Sequence, residues 1–349
     1  MGETAIRDAL TRQQVIDAIE RRGCAAPPAY MHKFWGVGLE EKYGTALRTL
    51  AACYPDDICD VFYLEPGYDV SPNANPEYRF GYKTYGAGTE RHSIQETPVL
   101  LDDWDELDQF LAHFPDPWEA GNFNNVYQAA QRAGSRYKLG CFWRLFHERF
   151  WSIRGMENLM YDYYDAMDKL KILGHRLVAF YKVIIDRFAD AGFDGIFTSD
   201  DLGTQQSSMM SPAVFEELYL PLYKEVVGYT HAKNMHFWLH SCGNNTPLME
   251  QLIEAGVDVF HPVQKGCMDA AETVRRFGDR ITFLAGIDVQ DLLPNGTPEQ
   301  VRAEIWQMKK TFDPNGRGML LGMGNGILTD TPLENIQAAL DAIFSDQQI

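Results

Sequence analysis

The sequence has no lysine- or arginine-rich cluster, and its 31 basic residues are outnumbered by 49 acidic ones, giving a formal net charge of -18. A nucleic-acid backbone is bound through a basic face, so this imbalance excludes a nucleic-acid partner and disfavours an anionic membrane surface. No apolar run approaches the roughly 18 to 20 residues that a membrane-crossing helix needs. The first residues, MGETAIRDALTRQQVIDAIE, are polar with a helical period and lack the apolar block of a secretion signal. Ile6 stands where a myristoylation signal wants Ser or Thr. The expected location is the cytoplasm. Six cysteines (Cys24, Cys53, Cys59, Cys141, Cys242, Cys267) show no disulfide-framework spacing, so reduced thiols are expected. Also missing are a glycine-rich dinucleotide fingerprint after a first strand, a P-loop and a G-x-S-x-G elbow, which removes the usual signs of nucleotide-binding folds and serine hydrolases.

What is present is a repeating unit. The apolar segments YKLGCFW (137–143), GIFTSD (195–200), HFWLHSC (236–242), VDVFHPV (257–263), ITFLAGI (281–287) and GMLLGMG (318–324) alternate with amphipathic helical stretches, and a further strand is expected near DICDVFYLE. Strands alternating with helices imply βαβ units and a parallel sheet. Six or more such units in 349 residues fit a closed (β/α)₈ TIM barrel, expected as a single domain over 1–349. Residues 65–125 are rich in turn formers and aromatics and read as a loop-rich insertion over the barrel mouth.

In a parallel barrel the chemistry sits at the C-terminal ends of the strands. Those ends carry Arg144 with His147 and Glu148, then Asp200 and Asp201, His240 and Cys242, His261 and Gln264, Asp288, and Asn325. His240 and Cys242 are two apart, so on a strand both side chains point to one face. Imidazole and thiolate are preferred zinc ligands, and a catalytic zinc keeps one position open. Read as packing, the same pair is a small core thiol beside a hydrogen-bonded histidine. Asp200 and Asp201 are adjacent and point opposite ways: one enters the mouth as a general base, substrate acceptor or hard metal ligand, and the other caps a turn or the following helix. Asp288 is a second candidate of the same kind. Arg144 and His147, among the aromatics of CFWRLFHERFW, suit a planar anionic or aromatic substrate, with Tyr78, Tyr82 and Tyr85 of the insertion as candidate additions to the pocket. Cys242 as a nucleophile stays open, because a nearby histidine or metal favours thiolate.

From about residue 135 onward, the segments RLFHERFWSIRGMENLMYD, FTSDDLGTQQSSMMSPAVFEELYLPLYKEV, LHSCGNNTPLMEQLIEAGVDVFHPVQ, RRFGDRITFLAGIDVQDLLPNGTPEQV and TDTPLENIQAAL form a recognisable set. The sequence resembles the uroporphyrinogen decarboxylase superfamily, which includes cobamide-dependent methyltransferases such as the methylcobamide:coenzyme M enzymes. The resemblance implies a (β/α)₈ barrel. In the methyltransferase branch the His and Cys of an H-x-C-G segment bind zinc, a role that falls here on His240 and Cys242. That branch takes a further Cys from the last strand in a G-x-G-C-G pattern, and in GMGNGILTDTPLEN that place is held by Asn325. Cys267, or else Asp201 or another oxygen donor, is left to complete the shell. The decarboxylase branch carries an arginine-rich RQAGR pattern for its propionate-bearing tetrapyrrole. PPAYMHKFWGVGLEEKYG has only Lys33 and Lys42, too few cations for a substrate with many carboxylates.

The resemblance therefore implies a zinc-dependent methyltransferase working with methylcobamide carried by a separate corrinoid protein. Its substrate is a small methylated molecule, with the aromatic content of 13% favouring a methoxylated aromatic, or else a thiol. His240, Cys242 and Cys267 are the expected metal ligands, Asp201 and Asp288 the expected catalytic groups, and Arg144, His147, Gln264 and Asn325 the expected substrate contacts. Two other readings stand beside it. One is a metal-free carboxy-lyase of uroporphyrinogen decarboxylase type, using Asp201 or Asp288 to stabilise a cationic intermediate. The other is a non-catalytic barrel binding a cobamide or tetrapyrrole, to which the change at Asn325 points. A homodimer is an open expectation.

Overall fold

Short apolar runs bounded by Gly, Asp and Asn form the strands, and the stretches of 3.6 period between them form the helices. The computed structural model describes residues 5–64, 99–114 and 121–345. Within them β1 (Ile58–Phe62), β2 (Tyr137–Phe142), β3 (Gly195–Ser199), β4 (His236–His240), β5 (Val259–His261), β6 (Thr282–Ile287) and β7 (Leu320–Met323) lie side by side in sequence order. Every neighbouring pair is parallel. Helices such as Met167–Asp190, Leu220–Ala232 and Pro298–Phe312 run between the strands, and Leu333–Phe344 follows β7.

The packing shows that the sheet curls. One buried cluster joins Ile58 of β1, Leu139 of β2, Phe197 of β3, Trp238 of β4, Val259 of β5, Leu284 of β6 and Leu320 of β7 to Val15 and Ile19 of the helix Arg12–Ile19. The two edges are joined through Ala29, which bridges to Leu321 of β7 while its N–H reaches Asp57 beside β1, so the sheet wraps round and the N-terminal helix packs into the space it encloses. The alternate residues, Ile196 and Leu239 among them, face outward into the helical layer.

Of the eight strands expected, seven form among the described residues. Beyond β7 the sheet continues as one bridge, Leu321 to Ala29, in which Tyr30 N donates to Leu321 O (3.0 Å) and Leu321 N to Pro28 O (2.9 Å). Pro27 and Pro28 have no N–H to give to a ladder, so this segment stays a bridge rather than a strand. For the same reason β5 is shorter than the run VDVFHPV suggests, since Pro262 follows His261.

Residues 65–98, which include Tyr78, Tyr82 and Tyr85, and residues 115–120 lie outside the described residues. The described part of the expected insertion is not loop throughout. A 3₁₀ turn, Trp104–Glu106, leads into the helix Leu107–Ala112, which buries Leu107 and Phe110. Arg154 ties this part to the barrel, donating from Nη1 to the carbonyls of Leu101 (2.5 Å) and Asp102 (2.7 Å) and from Nε to Asp162 (2.6 Å). Trp104 Nε1 donates to the same carboxylate (2.8 Å). Among the described residues no helix is long and apolar enough to cross a membrane.

Candidate active site

β3 and β4 end level with each other, Ser199 opposite His240, and the two residues after β3 part company there. Asp200 turns inward and is fully buried. It accepts the N–H groups of Glu148 (2.8 Å) and Phe146 (3.3 Å) and the hydroxyl of Tyr223 (2.7 Å), capping the helix His147–Arg154. Burial still pushes its carboxyl up to about 6. Asp201 turns to the mouth, where its Oδ1 accepts the N–H of Cys242 (2.8 Å) and lies 3.6 Å from His240 Nε2. Cys242 Sγ lies 3.3 Å from that same nitrogen. A carboxylate oxygen, an imidazole nitrogen and a sulfur thus come within 4.8 Å of one another.

Two glycines make this meeting possible. Gly243 has φ +81°, and a Cβ there would come within 2.4 Å of the Gly203 backbone. The loops after β3 and β4 therefore touch backbone to backbone, braced by Asn244 N donating to Thr204 O (2.7 Å) and Asn244 Nδ2 to Gln206 O (2.9 Å).

The electrostatics of the cluster are strained in one direction. Burial depresses the pKa of His240, so its ring is neutral. Burial first, and then the charge of Asp201, lift the Cys242 thiol well above its usual range. Glu148, whose carboxyl accepts from Ser199 Oγ, is pushed up to about 8 by burial and by the charges of Asp201 and Asp200. Three lone-pair donors face one another, an arrangement that a cation between them would relieve and that would favour thiolate at Cys242. One oxygen, one nitrogen and one sulfur with a fourth direction open is a set that zinc accepts, so the residues fit the metal.

A cavity of about 410 Å³ opens over the cluster, its apolar wall made by Trp151, Met209, Pro262, Ile287 and Val289. Asp201, Cys242, Gln264, Cys267, Asp288 and Asn325 all line it. Asn325 Nδ2 reaches toward Cys242 Sγ (3.7 Å), and Gln264 Oε1 accepts the N–H of Gly243 (2.7 Å). Cys267 shares the wall but stands outside the three-donor group. Asp288 spends its carboxylate on its own turn, accepting the N–H groups of Gln290 (2.8 Å) and Asp291 (3.2 Å). Arg144 and His147 do not reach the cavity wall. His147 is buried among tyrosines, with Nδ1 bonded to Tyr163 (2.9 Å) and Nε2 3.3 Å from Met209 Sδ, and burial pushes its pKa down to about 3. Arg144, at φ +67°, is buried with its N–H on Ser199 Oγ (3.0 Å).

Two residues of the strand-end set gain roles that spacing alone did not assign. Glu148 stands behind Asp201, and only the cap by Asp200 brings it there. His261 pairs with His240 in register, which aligning HFWLH with VDVFH as parallel neighbours would have suggested.

A model of the family described as uroporphyrinogen decarboxylase (URO-D) matches residues 150–345. A methylated-thiol–coenzyme M methyltransferase of Methanosarcina mazei is 28% identical over 39% of this chain and 34% of its own length. A uroporphyrinogen decarboxylase of Dechloromonas aromatica is 23% identical over 62% of this chain and 59% of its own, and one of Trichodesmium erythraeum is 31% identical over 38% and 36%. The chain thus spans between 34% and 59% of the length of these curated relatives. A solved methyltransferase from Methanosarcina mazei superposes with a TM-score of 0.53 at 19% identity, covering 62% of this chain and 61% of that one, a likeness of fold.

Proposed function

We propose, from the premise that the chain belongs to the uroporphyrinogen decarboxylase family, that it is a zinc-dependent methyltransferase. The methyl group passes between a corrinoid carried by a separate protein and a small substrate in the cavity over Cys242. The observation that carries this reading is the meeting of Asp201, His240 and Cys242 within 4.8 Å. These three residues would hold the ion, with Cys267 on the neighbouring wall. Zinc bound there supplies Lewis acidity, which lowers the pKa of a substrate thiol or polarises an ether oxygen. The Cys242 N–H keeps the Asp201 carboxylate facing His240. Behind Asp201, the buried Glu148 carboxyl accepts from Ser199 Oγ, and in the metal-free site burial and the charges of Asp201 and Asp200 raise it to about 8. Trp151, Met209, Ile287 and Val289 exclude water and suit an apolar or aromatic methyl carrier. Among the described residues the wall offers one cation, Lys265, already paired with Glu304 (2.8 Å), a poor match for a substrate with many carboxylates.

A second reading, a metal-free carboxy-lyase, draws on the placement of Glu148: its buried carboxyl takes the Ser199 hydroxyl behind Asp201, and burial with the neighbouring charges raises it to about 8, as suits a proton donor. Metal content by plasma mass spectrometry, together with methyl transfer from methylcobalamin to thiols and demethylation of methoxylated aromatics by cob(I)alamin, tests the two. About one zinc per chain, lost in Cys242→Ser together with transfer, is the expected result. A protein that takes up no zinc on reconstitution overturns the methyltransferase reading.

A further inference from the structure

The methyltransferase branch that the sequence resembles takes a thiolate from the end of its last strand, and here Asn325, just past β7, offers an amide in that place. The connection of β7 to the cluster runs through its backbone instead. His261, at the end of β5, lies beside His240 with ring centroids 4.9 Å apart, and Phe197 packs edge-on against it at 6.2 Å. Its Nε2 is 2.9 Å from the carbonyl oxygen of Met323, the last residue of β7. A carbonyl can only accept, so this contact places the His261 proton on Nε2. Nδ1 of the neutral ring is then an acceptor, and it lies 2.7 Å from Nδ1 of His240. That contact is a hydrogen bond only if His240 carries its proton on Nδ1. The opposite tautomer of His240 would set two lone pairs against each other at 2.7 Å. His240 Nε2 is consequently bare, and it is this atom that stands 3.3 Å from Cys242 Sγ and 3.6 Å from Asp201 Oδ1.

We infer that His261 is a positioning residue for the metal centre: the chain from Met323 O through His261 to His240 locks His240 in the one tautomer whose Nε2 can ligate. The inference rests on the zinc reading above. It assigns the end of β7, through the Met323 carbonyl, a part in the centre that the Asn325 side chain just beyond it does not supply. Outer partners of this kind fix a ligating ring's orientation and raise its basicity, and their loss typically costs metal affinity about 10- to 100-fold.

The test pairs two readouts. Zinc dissociation constants are measured by competition with a chromophoric chelator for wild type, His261→Gln and His261→Phe, with thermal unfolding of each recorded alongside. Long-range ¹H–¹⁵N spectra of the metal-free wild type assign the His240 tautomer. The expected results are an Nδ1–H tautomer at His240 before any metal is added, and zinc binding about 10- to 100-fold weaker in a folded His261→Phe, with part of the loss recovered in His261→Gln. Wild-type affinity in His261→Phe, or a metal-free His240 protonated on Nε2, overturns the inference. Wild-type protein that binds no zinc sinks the methyltransferase reading instead, and the tautomer spectrum still decides the relay.

Discussion

Acidic residues stand at both ends of this sheet and are treated in opposite ways. At the strand starts they are saturated with donors. Asp57, just before β1, takes Arg7 through both oxygens (2.9 and 2.6 Å) and the N–H groups of Leu10 (2.8 Å) and Ala29 (2.7 Å). Asp194, before β3, takes Arg12 (2.7 Å) and Lys138 N (2.8 Å), and Asp258, before β5, takes His231 (2.8 Å) and Phe237 N (2.7 Å). At the strand ends Asp200, Asp201 and Glu148 press on one another, and burial raises two of them to about 6 and about 8. Asp57 and Asp194 fasten N-terminal segments to the barrel, and Asp258 ties the helix Leu220–Ala232 to the start of β4. Of the upper ones, Asp200 and Glu148 are buried behind the cavity with their carboxyls raised, and Asp201 faces it beside His240 and Cys242, a setting in which such groups bind metals or move protons.

If that division is real, replacing a donor at the top should empty the site without unfolding the protein. His240→Ala should reduce zinc from about one per chain to none and cut methyl transfer by roughly 10³-fold or more, read by metal analysis and a methylcobalamin assay. The mirror experiment is Asp57→Ala, which leaves Arg7 buried without its partner. It should cost about 3–5 kcal/mol in urea unfolding while zinc per folded chain stays unchanged, and a loss of zinc in that folded variant would blur the comparison. Gly243→Ala forces the touching loops apart and should weaken zinc binding about 10-fold through geometry alone, measured by chelator competition.

The smallest effect separates the two ends by pH. Glu148 holds its proton to about pH 8 in the folded chain, against an ordinary value of 4.5. Between those values the folded state binds a proton that the unfolded state has released, so this contribution is full below pH 4.5 and fades as pH rises toward 8. Melting of the metal-free protein from pH 5 to 8 should show that decline, and Glu148→Gln should flatten it. A slope unchanged in Glu148→Gln would assign the decline to Asp200 or elsewhere.

Much of this was readable in the sequence, and for definite reasons. Strand positions follow from apolar runs between turn formers; Cys242 lies two residues past β4 and the two aspartates just past β3, yet the strand-based expectation matches the outcome, His240 meeting Cys242 while Asp200 and Asp201 part. The proximity of Asp201 to Cys242 is another matter. It depends on two loops meeting at Gly203 and Gly243, 40 residues apart, and no local pattern marks one glycine as the other's partner. The aromatic segment around His147 was ambiguous because packing and ligand binding use the same residues; burial among Tyr163 and Tyr219 resolved it. Prolines decided where strands stop, at Pro262 and beside Pro28, more sharply than hydrophobic pattern could.

The contact between Gly203 and Gly243 divides the cavity's labour. Asp201 and Cys242 ride on loops that are locked together, so their spacing is a property of main chain. Beside them, Val289, Gln290 and Asn325 add side chains to the wall from the turns that follow β6 and β7. Substitution there can reshape what the cavity admits while the place where chemistry is held stays fixed.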